Sequence, residues 1–157
     1  MTEAVTQSWV ESVLEQHHHL NAVVGELEDF LDTPRPDSGE KGSHTWAVEI
    51  SQRLLSLHDE LFRHFRFEEQ TGMMEEILEN HPEAASKLQE ILEEHPEMLR
   101  NLRRIVSDVL SYSEGVSPEN PQIRRRISSL LEVFHHHEEE ENHLFQRIEY
   151  RDMGAAD

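Results

Sequence analysis

The chain has 157 residues, 33 of them acidic against 14 basic, for a formal charge of −19. This length allows one domain, residues 1–157, with a substantial core, and so acidic a surface excludes nucleic acid and anionic membrane as partners. There is no cysteine, which excludes disulfides, iron–sulfur clusters and thiol nucleophiles and leaves histidine and carboxylate as the only strong metal ligands.

The first stretch, MTEAVTQSWVESVLEQ, is polar and acidic. It resembles no signal peptide, and no apolar run reaches bilayer length, so a cytoplasmic protein is expected. The first helix is predicted over about residues 8–31. Ser8 is its candidate cap, and Glu11 completes a capping box. Val10, Val13, His17, Leu20, Val24, Leu27 and Leu31 alternate steps of three and four, the stripe of a helix with one buried face. The segment from Asp32 to Ser43 carries two prolines and two glycines and breaks the pattern.

A second helix is predicted over about 44–80, with the stripe Ile50, Leu54, Leu57, Leu61, His64 and Glu68. Gly72 is a weak point in it, and MMEEILEN carries it on to Asn80. Pro82 suits the first turn of a third helix, over about 82–113. Its stripe is Ala84, Leu88, Ile91, His95, Met98, Leu102, Ile105 and Val109. Pro96 deprives the Leu92 carbonyl of its hydrogen bond, which predicts a kink, or else a break that starts a new helix at His95. The run EGVSPENP, Glu114 to Pro121, ends this segment. The fourth helix, about 120–150, shows Ile123, Ile127, Leu130, Phe134, His137, Glu141, Leu144 and Ile148. The tail RDMGAAD is predicted to be loosely ordered. With no strand pattern, the expectation is an all-α, antiparallel, up-down-up-down four-helix bundle.

Each stripe carries one histidine, and two add a glutamate one turn later: His17; His64 with Glu68; His95; His137 with Glu141. Residues four apart share a helix face. At about 1.5 Å per residue, His95 and His137 both lie about 26–27 Å from the connection that joins their helices. His64 and His95 stand about 24 and 21 Å from theirs. Helix 1 is shorter, and the Asp32–Ser43 loop covers the difference. The six groups are therefore expected in one layer.

Four imidazoles and two carboxylates suit a pair of metal ions, two nitrogens each, with the carboxylates bridging. A further bridging oxo or hydroxo group would leave room for dioxygen, peroxide or nitric oxide. Two irons are the expected occupants, with zinc or manganese as possible substitutes, because the donors suit all three. Without metal the layer would bury six polar groups among leucines, so metal should stabilise the fold.

A single histidine on an apolar face is more often structural; four at one level, two with a glutamate at the right spacing, favour metal. His18, His19, His135, His136 and His143 lie off the stripes and are expected at the surface. His58 is expected at the core edge or as a donor to a ligand, His81 at a helix start and His44 in a loop. Of Glu138–Glu141 only Glu141 is expected inward. The competing register, His136 with Glu140, turns Arg126, Ser129, Val133 and His143 inward and makes a poorer core.

The strings LEQHHHL, LFRHFRFEE, LEEHPEML and FHHHEEEENHLF, in that order, resemble the hemerythrin-like, or HHE cation-binding, domains over about Val10 to Ile148. The resemblance implies His17, His64, Glu68, His95, His137 and Glu141 as ligands, with Glu68 and Glu141 as bridges. Oxygen-carrying hemerythrins have a further histidine one turn after the first on the third helix; here that position is Leu99. This departure tells against reversible oxygen carriage and leaves an extra open position. Members of this shorter kind resemble iron- or oxygen-responsive sensors and redox or storage proteins.

The leading expectation is a di-iron module that meets a small diatomic ligand or peroxide, a metal-binding or sensor protein rather than a dedicated enzyme, its protein partner unspecified. The alternatives are a di-iron oxidase or peroxidase and a metal-free structural or interaction bundle. A fourth reading is a zinc or nickel buffer using the surface histidines. The Glu-x-x-His pairs of ferritin-like enzymes do occur, at Glu15/His18, Glu132/His135 and Glu140/His143, but all lie off the stripes.

Overall fold

Every residue of the four predicted stripes is buried in the computed structural model. The structure describes residues 2–33, 40–112 and 121–155, with side chains over 9–33, 45–111 and 121–149. Among these residues the elements are α1 (Thr2–Asp32), α2 (Glu40–Gln70), α3 (Met73–Asn80), a 3-10 turn (Pro82–Ala84), α4 (Ala85–Tyr112) and α5 (Pro121–Ala155). No strand occurs among them.

The four long helices form a closed square in which α1 packs on α2 and α5, and α4 on α2 and α5. Cross-helix contacts fix their directions. From α1 to α2, His19 meets Glu60 while Phe30 stacks on Trp46. From α2 to α4, Phe65 meets His95 while His58 meets Arg103. From α4 to α5, Glu94 meets His137 while Asp108 meets Arg126. From α5 back to α1, Asn142 meets His17 while Arg124 reaches the Leu31 carbonyl. Numbers rise on one helix as they fall on its neighbour, so all four packings are antiparallel, as expected of an up-down-up-down bundle.

The core is divided in two. One apolar cluster runs from Leu20, Phe65, Met98 and Phe134 toward the end where α1 meets α2. The other gathers Val13, Met73, Ile77, Ile91, Leu144 and Phe145 at the opposite end. His17 lies between Val13 and Leu20, His95 between Ile91 and Met98, and His137 and Glu141 between Phe134 and Leu144. A polar layer thus separates two apolar cores.

Several predicted boundaries change. α1 begins at Thr2, so Ser8 lies inside the helix and cannot cap it; no breaker precedes Ser8 in the chain, and the Ser8 side chain lies outside the described residues. α2 begins at Glu40, which brings His44 into a helix instead of a loop; 34–39 of the predicted loop lie outside the described residues. The second helix does not continue to Asn80. Gly72 adopts a left-handed φ of 83°, a conformation glycine alone takes at little cost, and α3 starts afresh from it. α3 then packs on α1 and α2, burying Met73, Met74 and Ile77. The link from His64 to His95 is therefore not a straight hairpin.

Pro96 sits within α4 without breaking it. The helix spans it because the packing on both sides, from Leu88 to Val109, stays in register. α5 opens on Pro121, the favoured first-turn residue, and runs to Ala155, so most of the tail expected to be loose is helical. The run 113–120 and residues 156–157 lie outside the described residues.

Candidate metal centre

The polar layer brings together His17 from α1, His64 and Glu68 from α2, His95 from α4, and His137 and Glu141 from α5. All six are buried, the two glutamates completely. Their potential ligand atoms form two groups, each compact enough to hold a metal ion. One group is His17, His64, Glu68 and Glu141; the other is His95, His137 and Glu141.

Glu141 belongs to both groups because its two oxygens point in different directions. Oε1 lies 3.5 Å from His17 Nε2 and 4.0 Å from His64 Nε2. Oε2 lies 2.6 Å from His137 Nε2, one turn back on the same helix. Glu68 Oε1 lies 2.6 Å from His64 Nε2 in the same i,i+4 relation. The resemblance implied two bridging carboxylates; the structure places Glu141 alone in both groups.

The outer faces of the imidazoles show which nitrogens turn inward. His64 Nδ1 donates to Gln16 Oε1 at 2.6 Å, His17 Nδ1 to Asn142 Oδ1 at 3.0 Å, and His137 Nδ1 to Glu94 Oε2 at 2.8 Å. His95 Nδ1 lies 3.5 Å from Glu69 Oε1. With a proton held on Nδ1, Nε2 of His17, His64 and His137 carries a lone pair. These lone pairs face one another and the carboxylates: His17 Nε2 and His64 Nε2 are 3.2 Å apart. Both oxygens of Glu68 and Glu141, and Nε2 of His95 and His137, are buried without a hydrogen bond. Orphaned acceptors converging in a buried layer are costly by themselves. A cation between them satisfies all of them, and imidazole with carboxylate is a donor set that iron, manganese and zinc accept. The residues present fit bound metal cations.

The outer partners run around the bundle in one sense. Gln16 on α1 backs His64 on α2, Glu69 on α2 stands behind His95 on α4, Glu94 on α4 backs His137 on α5, and Asn142 on α5 backs His17 on α1. Each is the sequence neighbour of an inward group on its own helix: Gln16 of His17, Glu69 of Glu68, Glu94 of His95, Asn142 of Glu141. Successive residues on a helix point about 100° apart, so when one faces the core the next faces a neighbouring helix. The sense is constant because the partner precedes the inward residue on α1 and α4 and follows it on the antiparallel α2 and α5.

Titration behaviour reflects the same crowding. Burial, with only partial relief from Glu141, lowers His64 to about 4. Burial and the neighbouring His137 lower His95 to about 3. For His17 and His137 burial also acts downward, but the close approach of the Glu141 carboxylate outweighs it and leaves both raised. Glu68 is driven upward by burial and by the Glu141 charge. Glu141 resists burial through its contacts with His137, His17 and Glu68 and stays low. The surroundings thus favour the ionised form of Glu141 and disfavour that of Glu68.

The off-stripe histidines fall at the surface. His18, His19, His135, His136 and His143 are all exposed, and three of them meet rim carboxylates: His19 with Glu60 at 3.4 Å, His135 with Glu28 at 3.1 Å and His136 with Glu140 at 3.7 Å. His58 accepts from Arg103 Nε at 3.0 Å, on the outside of the bundle. Glu138 departs from expectation: it is buried and accepts from Asn21 Nδ2 at 2.5 Å. Sequence reasoning missed the four outer partners as well. Their adjacency to the inward residues was the available signal, but which histidine each one backs depends on helix packing.

The family model described as "Hemerythrin HHE cation binding domain" matches residues 9–148. No curated protein and no solved structure matches the chain.

Proposed function

The chain belongs to the hemerythrin HHE cation-binding domain family, and from that premise we propose that it is a non-heme di-iron protein whose centre meets dioxygen, peroxide or nitric oxide in sensing, redox or iron handling. The observation that carries this reading is Glu141, fully buried, with one oxygen toward His17 and His64 and the other toward His137. A single carboxylate shared between two donor groups is the arrangement that a pair of ions needs and a lone ion does not.

In this reading His17, His64 and Glu68 would hold one iron and His95 and His137 the other, with Glu141 available to both. Iron held there would supply reversible one-electron chemistry and the capacity to take a small ligand. The chain's own residues do the rest. Gln16, Asn142 and Glu94 fix the imidazole tautomers, so that Nε2 is the donor at His64, His17 and His137. The two apolar clusters on either side of the layer keep bulk water out. Neither of two surface cavities, about 420 Å³ against Lys87 and Arg147 and about 250 Å³ against Glu26 and Arg53, is lined by any of the six residues. A layer closed in this way suits a diatomic molecule or peroxide better than a metabolite.

The test is to reduce iron-loaded protein anaerobically and mix it in turn with nitric oxide, dioxygen and hydrogen peroxide, following the absorption spectrum. The reading expects a spectral change with at least one of them that is lost in His64→Ala. Steady consumption of peroxide with an added reductant would move the reading to an enzyme. A spectrum inert to all three would reject it.

A further inference from the structure

The ring of outer partners is uneven, and the unevenness follows the two donor groups. The imidazoles grouped with Glu68, those of His17 and His64, are backed by the neutral amides of Asn142 and Gln16. The imidazoles of the other group, His95 and His137, are backed by the carboxylates of Glu69 and Glu94. The inner shells are uneven in the opposite way. The first group has a carboxylate of its own, Glu68, besides the shared Glu141. The second has only the shared one, because the residue one turn after His95 is the apolar Leu99, packed against the core.

We propose that Glu94 is a positioning residue that makes the two cation positions chemically unequal, supplying from outside His137 the negative charge that the first position receives directly from Glu68. This deepens the di-iron reading and rests on it. A carboxylate accepting from Nδ1–H draws the proton toward itself and raises the donor strength of Nε2 more than an amide oxygen does. Glu94 carries most of the effect, because its oxygen is 2.8 Å from His137 Nδ1 while that of Glu69 is 3.5 Å from His95 Nδ1. The His95/His137 position then combines one electron-rich imidazole, that of His137, with one protein ligand fewer. It is the position with space for an external ligand, while the His17/His64/Glu68 position is closed more completely by the chain.

Three variants separate this role from a merely structural one. Glu94→Gln keeps an acceptor oxygen and removes the charge, Glu94→Asp keeps the charge, and Gln16→Ala perturbs the other position. Each is loaded with iron-57, its iron content is measured, and its Mössbauer spectrum is recorded. With two irons per chain, the native protein should give two distinct quadrupole doublets of equal area. Glu94→Gln should move one of them, Glu94→Asp should restore it, and Gln16→Ala should move the other. In competition with a chelator, Glu94→Ala should lose one of its two irons at a concentration about 10–100-fold lower than the native protein does. Two irons giving one doublet, or a Glu94→Gln spectrum identical to the native one, would overturn the inference and leave the di-iron reading standing. Fewer than two irons in the native protein would overturn both.

Discussion

Phe65 stacks on His95 with the ring centroids 3.8 Å apart and the planes 7° from parallel. His95 is the one inward imidazole whose outer nitrogen lacks a hydrogen bond, so the buried Phe65 ring takes over the task of fixing its plane. Phe65 also meets the His137 ring edge-on. Phe65→Ala is expected to cost about 3–5 kcal/mol through the cavity it leaves, read by denaturant unfolding. Phe65→Leu should cost less, yet both should lower iron content toward one per chain. Two tightly held irons in Phe65→Leu would show that His95 does not need the stacking.

Glu141→Ala removes the only group common to both donor sets. Bound iron should fall from two per chain to one or none. Glu68→Ala strips one position only and should leave at least one iron. Retention of two irons with an unaltered spectrum in Glu141→Ala would end its bridging role.

Protons compete with metal for this layer. His17, His137 and Glu68 have raised affinities for protons, so the metal-free layer holds protons that the loaded one cannot. Iron binding should therefore release protons, and iron affinity should rise with pH and fall as pH drops through neutrality, from above the ordinary histidine value of 6.5. His64 and His95, lowered to about 4 and about 3, are neutral at pH 7 and add to the competition only in acid. Calorimetric titration with ferrous iron in two buffers of different ionisation enthalpy counts the protons. No release at pH 7 would contradict the assignment of directions.

Removing metal should destabilise the fold, because six buried polar groups lose their common partner. A ligand present at 100 times its Kd adds about 2.7 kcal/mol, roughly 5–10 °C in Tm for a domain of this size. A melting temperature indifferent to chelator would mean that the layer does not bind metal.

The surface histidines should be dispensable. His18, His19, His135 and His136 are exposed, and replacing all four by alanine should leave the tight iron unchanged, with stability altered by about 0.5 kcal/mol or less per site. Loss of iron would shift the site to the surface clusters.

The four stripes were legible in the sequence because burial follows the helical period closely: Val10, Val13, His17 and Leu20 on α1, or Phe134, His137 and Glu141 on α5, repeat with the turn. The convergence of His17, His64, Glu68, His95, His137 and Glu141 was legible for the same reason. Capping and breaking were less so. Ser8 and Glu11 have the composition of a cap, but nothing before them stops a helix. Gly72 was seen as a weak point, yet only the packing of Met73, Met74 and Ile77 on α1 and α2 decides that the chain turns there. Of the two outcomes open at Pro96, a kink or a break, the break does not occur, because its local cost is offset by the core on both sides. Glu138 was missed because its buried partner, Asn21, comes from another helix. The same holds for Gln16, Glu69, Glu94 and Asn142, each of which acts on a histidine more than 25 positions away or on a different helix.

The central claim is that this layer holds two irons, and iron content per chain with an absorption spectrum, on protein produced in iron-supplemented medium, tests it most directly. The account predicts about two irons per chain and near-ultraviolet charge-transfer bands of a coupled ferric pair. Little or no iron in an intact helical protein that is indifferent to chelator would contradict it and make the inward histidines structural.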